Sequence, residues 1–274
     1  MPTISVIIGI YNCASTLQEA LDSLYQQTFQ DFEIILCDDG SSDETLRIAK
    51  VNADLHPNIK LIINSINQGL NITLNNCLKI AEGKYIARMD GDDISLPDRF
   101  EKEVAFLEYH PEYDIVSTPM IYFDAKGEFG RGRGGYEPTV KSLEKGSPFC
   151  HAPCLIRKEA YDRVGGYTES KHLIRYEDYN LWAKMFKEGF RGYVLDECLY
   201  AMRDDRNAFS RRRFRIRLNG IYAHFLAHKD LHLSFFSLII YSINVLIAGL
   251  VPYPLYIVYH KKKLLKNREH VTLE

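Results

Sequence analysis

Four short apolar runs, each ending in a polar turn, set the tightest limit on what this chain can fold into. They read ISVIIGI (Ile4 to Ile10), EIILC (Glu33 to Cys37), KLIIN (Lys60 to Asn64) and KYIAR (Lys84 to Arg88). The first is almost wholly β-branched and apolar, the pattern of a strand covered on both faces, as in a parallel sheet. Between the runs, apolar residues recur at helical spacing, as at Leu17, Leu21 and Leu24, and a third helix is expected over Gly69 to Ala81. Ser15 with Gln18, and Ser41 with Glu44, have the spacing of helix-capping pairs. The alternation predicts βαβ units with right-handed crossovers.

Open parallel sheets bind ligands beyond the carboxyl ends of their strands. Those ends are Tyr11-Asn12, Asp38-Asp39, Asn64 to Gly69, and Asp90-Gly91-Asp92-Asp93, all polar. After Asp93 the pattern changes. Ser95 and Pro97 open a helix with Phe100, Val104 and Leu107 on one face, and strands are expected over Asp114 to Thr118 and Ile121 to Phe123. Phe129 to Tyr136 (FGRGRGGY) reads as a mobile basic loop. Lys158 to Val164 and Glu177 to Glu188 read as helices, the second stopped by Gly189.

The chain has 274 residues, with 34 basic and 36 acidic side chains and a formal net charge of −2. That balance argues against a nucleic-acid binder, which would be basic. None of the six cysteines forms a C-x-x-C pair, and the N-terminus lacks a basic stretch followed by a long apolar core. A reducing, cytoplasmic setting is expected.

In an extended turn, residues two apart point the same way, so Asp90 and Asp92 would converge on one hard cation. Oxygen ligands suit Mg²⁺ or Mn²⁺, which bridge to substrate phosphates; a solvated acidic turn is the plainer alternative. A carboxylate at Asp38-Asp39 would accept a hydrogen bond from a bound base, or simply form the turn that stops the strand. Glu177-Asp178 opens an amphipathic helix, where acids are favoured whatever their task. Cys150, His151 and Cys154 lack the second ligand pair of a structural zinc site, which leaves His151 as a buried or substrate-facing residue.

Together these segments resemble the inverting glycosyltransferases of family 2, from about residue 2 to residue 217. VIIGIYN, ILCDDGSSDET, INQGLNITLNNCLKIAEGKYIARMDGDD, HAPCLIRKEAYDRVGGY and YEDYNLW stand in that family's order and spacing. The wording is nearest to exopolysaccharide-cluster members. Gly9 stands where a proline is usual, and Leu74 where an arginine is frequent, with Arg88 as a substitute. The resemblance implies an α/β GT-A fold with a mostly parallel sheet; a helical, membrane-associating C-terminal segment is expected from its own residues. It implies a catalytic domain over 1–210, split into a nucleotide-binding half (1–93) and an acceptor-binding half (94–210), followed by 211–274. It also implies transfer from a nucleotide sugar, a UDP sugar first, to a lipid-diphosphate-linked or growing polysaccharide acceptor. Asp92, assisted by Asp90, would hold Mn²⁺ or Mg²⁺. Asp178 would be the general base, with Glu177 orienting it or the acceptor. Asp39 would read the base, with Tyr11, Asn12, Asn67, Gly69, Arg88 and Gly91 completing the donor site. His151, Trp182 and Arg203 are the acceptor-side candidates. The competing readings are an idle GT-A domain serving as an interaction module, and a nucleotidyltransferase. The latter would want a glycine-rich phosphate loop where YNCAST stands.

The C-terminal part is different in kind. Seven arginines fall between Arg203 and Arg217, a ready patch for phosphates. Leu233 to Tyr259 then runs 27 residues without a charge and is followed by Lys261, Lys262 and Lys263. Pro252 and Pro254 interrupt the run, so a helix pair lying on the cytoplasmic leaflet is expected rather than a full span. A helical pair packed on the catalytic domain, or in a homodimer, is the alternative.

Overall fold

A computed structural model describes residues 1–203 and 214–250. Its main sheet grows outward from β1 (Ile4–Ile10), buried along its length apart from half-buried Gly9. β2 (Phe32–Asp38) pairs with β1 in parallel on one side, and β3 (Ile59–Ile63) extends beyond β2. β4 (Tyr85–Arg88) pairs in parallel on the other side of β1. The connecting helices are α1 (Leu17–Tyr25), α2 (Thr45–Leu55) and α3 (Leu70–Ile80). Alternation along β1 divides the core: Val6, Ile8 and Ile10 pack with Leu17, Leu21 and Leu24, whereas Ile7 packs with Leu74 and Cys77 of α3. Burial on both faces explains why the strand reads as one apolar run.

The two expected capping pairs do not form; α1 and α2 start without side-chain caps. The turns after β1 and β2 lie side by side, and their polar groups bond across to each other. The Asn12 N–H donates to Ser41 Oγ (3.1 Å), the Ala14 N–H to Asp43 (3.2 Å) and the Cys13 N–H to Thr45 Oγ1 (2.8 Å).

The chain continues through β5 (Ile94–Ser95), α4 (Arg99–Tyr109), β6 (Ile115–Ser117), β7 (Met120–Asp124) and β8 (Gly127–Arg131). Then follow β9 (Leu155–Arg157), α5 (Lys158–Val164), α6 (Glu177–Lys187), β10 (Gly192–Val194) and β11 (Tyr200–Arg203). The main sheet has the order β10-β6-β9-β4-β1-β2-β3, with β9 the antiparallel member, so it takes strands from both sides of residue 93. A smaller sheet, β5-β11-β7-β8, carries the chain back beside the acidic turn. The expected helix opening at Ser95 is instead the two-residue strand β5, and the helix starts at Arg99. The expected loop at Phe129 begins as a strand, because Gly127 at φ +105° turns β7 into a hairpin with β8.

α4 is fixed by a fully buried ion pair. Arg99 Nε donates to Glu103 (3.1 Å), and its Nη2 donates to the carbonyls of Arg88 (3.1 Å) and Cys154 (3.3 Å). Burial nevertheless raises the Glu103 carboxyl to about 8.

α7 (Phe214–Asp230) and α8 (Phe235–Leu250) form a hairpin against α6. No helix among the described residues is long and apolar enough to cross a membrane. The rest of the uncharged run (251–259), the lysines after it, and most of the arginine cluster (204–213) lie outside the described residues.

Candidate active site

In the main sheet the strand order reverses between β1 and β4, the place where open α/β sheets hold ligands. A cavity of about 420 Å³ opens there. Of the residues singled out from sequence, Tyr11, Asp39, Asn67, Gly69, Asp90, Gly91, Asp92 and Glu177 line it. Space at Gly91 is tight: a Cβ would lie 3.1 Å from both Cys13 Sγ and Ile10 Cγ2.

On one wall, Asp39 holds the loop that leads into α3. Its Oδ1 accepts from Asn64 Nδ2 (2.9 Å) and the Gln68 N–H (2.8 Å), and its Oδ2 from the Gly69 N–H (2.9 Å). Asn12 is not on the wall. It sits in the left-handed region at φ +49°, and its side-chain oxygen accepts from the Ser42 N–H (2.8 Å), so it splints the two turns.

The acidic turn follows β4. Ligand oxygens of Asp90, Asp92 and Asp93 all lie within 4.8 Å of one another. Asp93, which the sequence reading left out of the site, is buried at the back of the cluster. It accepts from Tyr200 Oη (2.9 Å) and the Arg203 N–H (2.8 Å), which joins β11 to the turn. Burial first, then the charges of Asp90 and Asp92, raise its carboxyl to about 8. Three carboxylates with oxygens this close, two of them lining the cavity, suit a hard divalent cation, for which carboxylate oxygens are the proper ligands.

Arg88 differs from expectation. It is buried beneath the turn, and its guanidinium grips the Asp90 carboxylate with two nitrogens rather than lining the cavity. Arg203 lies beside the acidic turn rather than in the cavity lining. Its Nε donates to the Asp92 carbonyl (3.0 Å), its Nη2 bonds Glu19, and its guanidinium stacks 4.6 Å from the Phe123 ring centre.

Across the cavity, Glu177 and Asp178 form the first turn of α6. Burial, reinforced by the neighbouring Asp178 charge, raises Glu177 to about 7. Burial also raises Asp178, opposed by the Tyr179 N–H, the Ser147 hydroxyl (3.3 Å to Oδ2) and the charge of Arg88. Arg175, just before this helix at φ +69°, lines the same wall and carries no sequence signal beyond its charge. His151 is half-buried behind it. Its Nε2 meets Tyr167 Oη at 2.8 Å, and burial together with Arg88 holds it well below the usual histidine range, hence neutral. Trp182 is a correction: it is fully buried in the core, edge-on to Phe149 and His151, because Leu181, Trp182 and Met185 turn that face of α6 inward.

Residues 5–165 match the family model described as "Glycosyl transferase family 2". The chain is 44% identical to EpsE of Bacillus subtilis (strain 168), a glycosyltransferase by name, over 98% of this chain and 96% of that one. It is 30% identical to the UDP-Gal:alpha-D-GlcNAc-diphosphoundecaprenol beta-1,3-galactosyltransferase of Escherichia coli, over 92% of each chain. In fold it is similar to the mannosyltransferase PcManGT from Pyrobaculum calidifontis, solved with GDP-Man and Mn²⁺. The TM-score there is 0.65 at 18% identity, over 100% of this chain and 81% of that one. These likenesses bear out the α/β, GT-A-like fold with its mostly parallel sheet. By the match over residues 5–165 and the likeness over nearly its whole length, this chain belongs to glycosyltransferase family 2 and is a glycosyltransferase.

Proposed function

We propose that the chain transfers a sugar from a nucleotide sugar, a UDP sugar first, to a lipid-diphosphate-linked or growing polysaccharide acceptor, with inversion at the anomeric carbon. The setting is the synthesis of an exopolysaccharide, capsule or O-antigen at the cytoplasmic face of the membrane. The observation that carries this reading is one cavity with the Asp90–Asp92–Asp93 cluster on one wall and Glu177 of the Glu177-Asp178 turn on the other. Similarity to a galactosyltransferase named for a UDP donor and a diphosphoundecaprenol-linked acceptor supports the substrate classes.

Residues 1–93 form the donor half in this reading. Tyr11, Asn67 and the loop held by Asp39 receive the nucleoside, and Gly69 and Gly91 let backbone approach the diphosphate. Residues 94–210 bring the acceptor, with His151 buttressing that wall. Asp92, with Asp90 and Asp93, would hold Mn²⁺ or Mg²⁺, which when bound neutralises charge on the departing diphosphate. Asp178 takes the proton of the attacking hydroxyl, and its elevated proton affinity brings it nearer the working pH. Glu177, raised to about 7, holds a proton near neutrality and donates a hydrogen bond to acceptor or base.

Purified protein, a panel of nucleotide sugars and Mn²⁺, read as nucleotide release, test the reading. Turnover of one UDP sugar that vanishes with EDTA and in Asp92→Asn is the expected result. Full activity in EDTA overturns the metal assignment. Asp178→Asn should lower kcat by about 10²–10⁴ while UDP binding persists. Lost UDP affinity with an unchanged saturating rate would make Asp178 a binding residue instead.

A further inference from the structure

α8 contains no charged residue, yet one side of it faces water. Phe236, Ile240, Ile243 and Ile247 are 76%, 60%, 50% and 55% exposed, and their spacing of four, three and four puts them on a single stripe. Phe235 and Ile239 widen it. Proteins that stay alone in water rarely leave so large an apolar patch open.

The opposite side of α8 is fastened to the catalytic half. The Tyr241 ring stacks on His224 at 3.4 Å, and His224 stacks on Tyr179 at 4.2 Å. Tyr241 Oη reaches Tyr176 Oη at 3.4 Å, and Asn219 Nδ2 donates to the Ile174 carbonyl (3.2 Å). Ile174 lines the cavity wall with Arg175 and Glu177, and Tyr176 and Tyr179 flank Glu177 and Asp178 in the chain. Whatever seats the outer stripe therefore fixes where that wall points.

We propose that the outer stripe of α8 docks on the surface of an anionic phospholipid bilayer, orienting the acceptor wall of the cavity toward lipid-borne substrate. This rests on the acceptor class proposed above. The sequence beyond α8 favours a bilayer over a second copy of the chain. The uncharged run continues to Tyr259, with Tyr253, Tyr256 and Tyr259 suited to a membrane interface, and then meets Lys261, Lys262 and Lys263. Three consecutive lysines after an uncharged run suit anionic headgroups; an interface between identical chains gathers like charge instead. Pro252 and Pro254 break the uncharged run just after α8, which fits a helix lying along the surface.

The test is co-sedimentation of the full chain with vesicles of phosphatidylcholine, alone or mixed with phosphatidylglycerol, without donor or acceptor. Binding should need the anionic lipid and should partly survive high salt. Phe236→Glu and Ile240→Glu should each weaken binding about tenfold or more, the worth of one large apolar side chain withdrawn from water. Melting temperature and Trp182 emission should not change, since both positions are exposed. Unchanged vesicle binding in both variants, or none by the parent chain, overturns the proposal. So does a concentration-dependent dimer that the variants dissolve in the absence of lipid. Because no sugar is present, a failure here is separable from a failure of the donor assignment, which nucleotide release reads alone.

Discussion

Replacing Gly220 by alanine should slow catalysis from a position that touches no part of the cavity. Gly220 lies where α7 crosses Tyr176. A Cβ there would stand 2.4 Å from Tyr176 Oη, 2.5 Å from its Cζ and 2.9 Å from Tyr241 Oη. Ordinary contacts lie near ~3.5 Å, so the tyrosine ring must retreat by roughly 1 Å. Tyr241 and α7 confine the ring, and the shift passes to its chain neighbour Glu177 and then Asp178. A misplacement of that size at reacting groups costs on the order of 10²-fold in rate. Stability should move less: overpacking costs about 1–3 kcal/mol, and alanine in place of glycine within a helix returns about 1 kcal/mol. The assay is nucleotide release at saturating donor, beside calorimetric UDP titration and a thermal melt. A fall in kcat with UDP affinity kept is expected, since Asp39 and Asn67 lie on the far wall. Wild-type kcat would refute the reasoning, and so would a parallel loss of rate and UDP affinity, which would mean general loosening.

Glu177, raised from 4.5 to about 7, keeps its proton in the folded chain where the unfolded chain has lost it. Its contribution is therefore destabilising and grows as pH rises from about 4.5 to about 7. Glu177→Gln should flatten that decline in pH-dependent melts; an unchanged profile would place the group in water. Turnover should fall on the acid side as Asp178 takes up a proton beside an already protonated Glu177, and the limb belongs to the pair. Arg99→Met leaves Glu103 buried without its partner and takes a donor from the Arg88 and Cys154 carbonyls, and should cost about 3–5 kcal/mol in denaturant melts. A loss under about 1 kcal/mol would show that the protonated acid needs no partner. Asp39→Asn sets an amide donor against the N–H groups of Gln68 or Gly69, so UDP affinity should drop by about 1–3 kcal/mol in calorimetry. Unchanged affinity would remove that loop from the nucleoside site.

β1, β2 and β4 were legible because burial on both faces leaves a continuous apolar run, β3 because its apolar residues stay contiguous although half-buried at the sheet edge, and the acidic turn because it ends β4. Leu155–Arg157, Gly192–Val194 and Tyr200–Arg203 were not, being three or four residues long. Their strand state comes from the slot each fills between distant partners. The capping pairs failed for a related reason: Ser41 Oγ accepts the Asn12 N–H from a turn 29 residues away, and Gln18 bonds Asp22 and Asn52 instead. At the site, residue type proved a good guide and direction a poor one. Asp90, Asp92 and Glu177 face the cavity, but Arg88 turns under Asp90 and Trp182 turns into the core. Asp93 gave no sign of its role, since its partners Tyr200 and Arg203 lie over a hundred residues further on.

The antiparallel strand wedged between β4 and β6 has a consequence for how the chain is made. β1 to β4 pair among themselves and can close soon after they leave the ribosome. The free edge of β4 must then wait until Leu155–Arg157 is synthesised, 67 residues after Arg88. At ~5–20 residues per second, that interval is about 3–13 seconds. During it a hydrophobic strand lies with unpaired backbone groups, open to the same strand on a neighbouring nascent chain. The donor half thus comes into being as an unfinished sheet, and substitutions that slow the arrival of residues 155–157 should show first as lost soluble yield rather than lost activity.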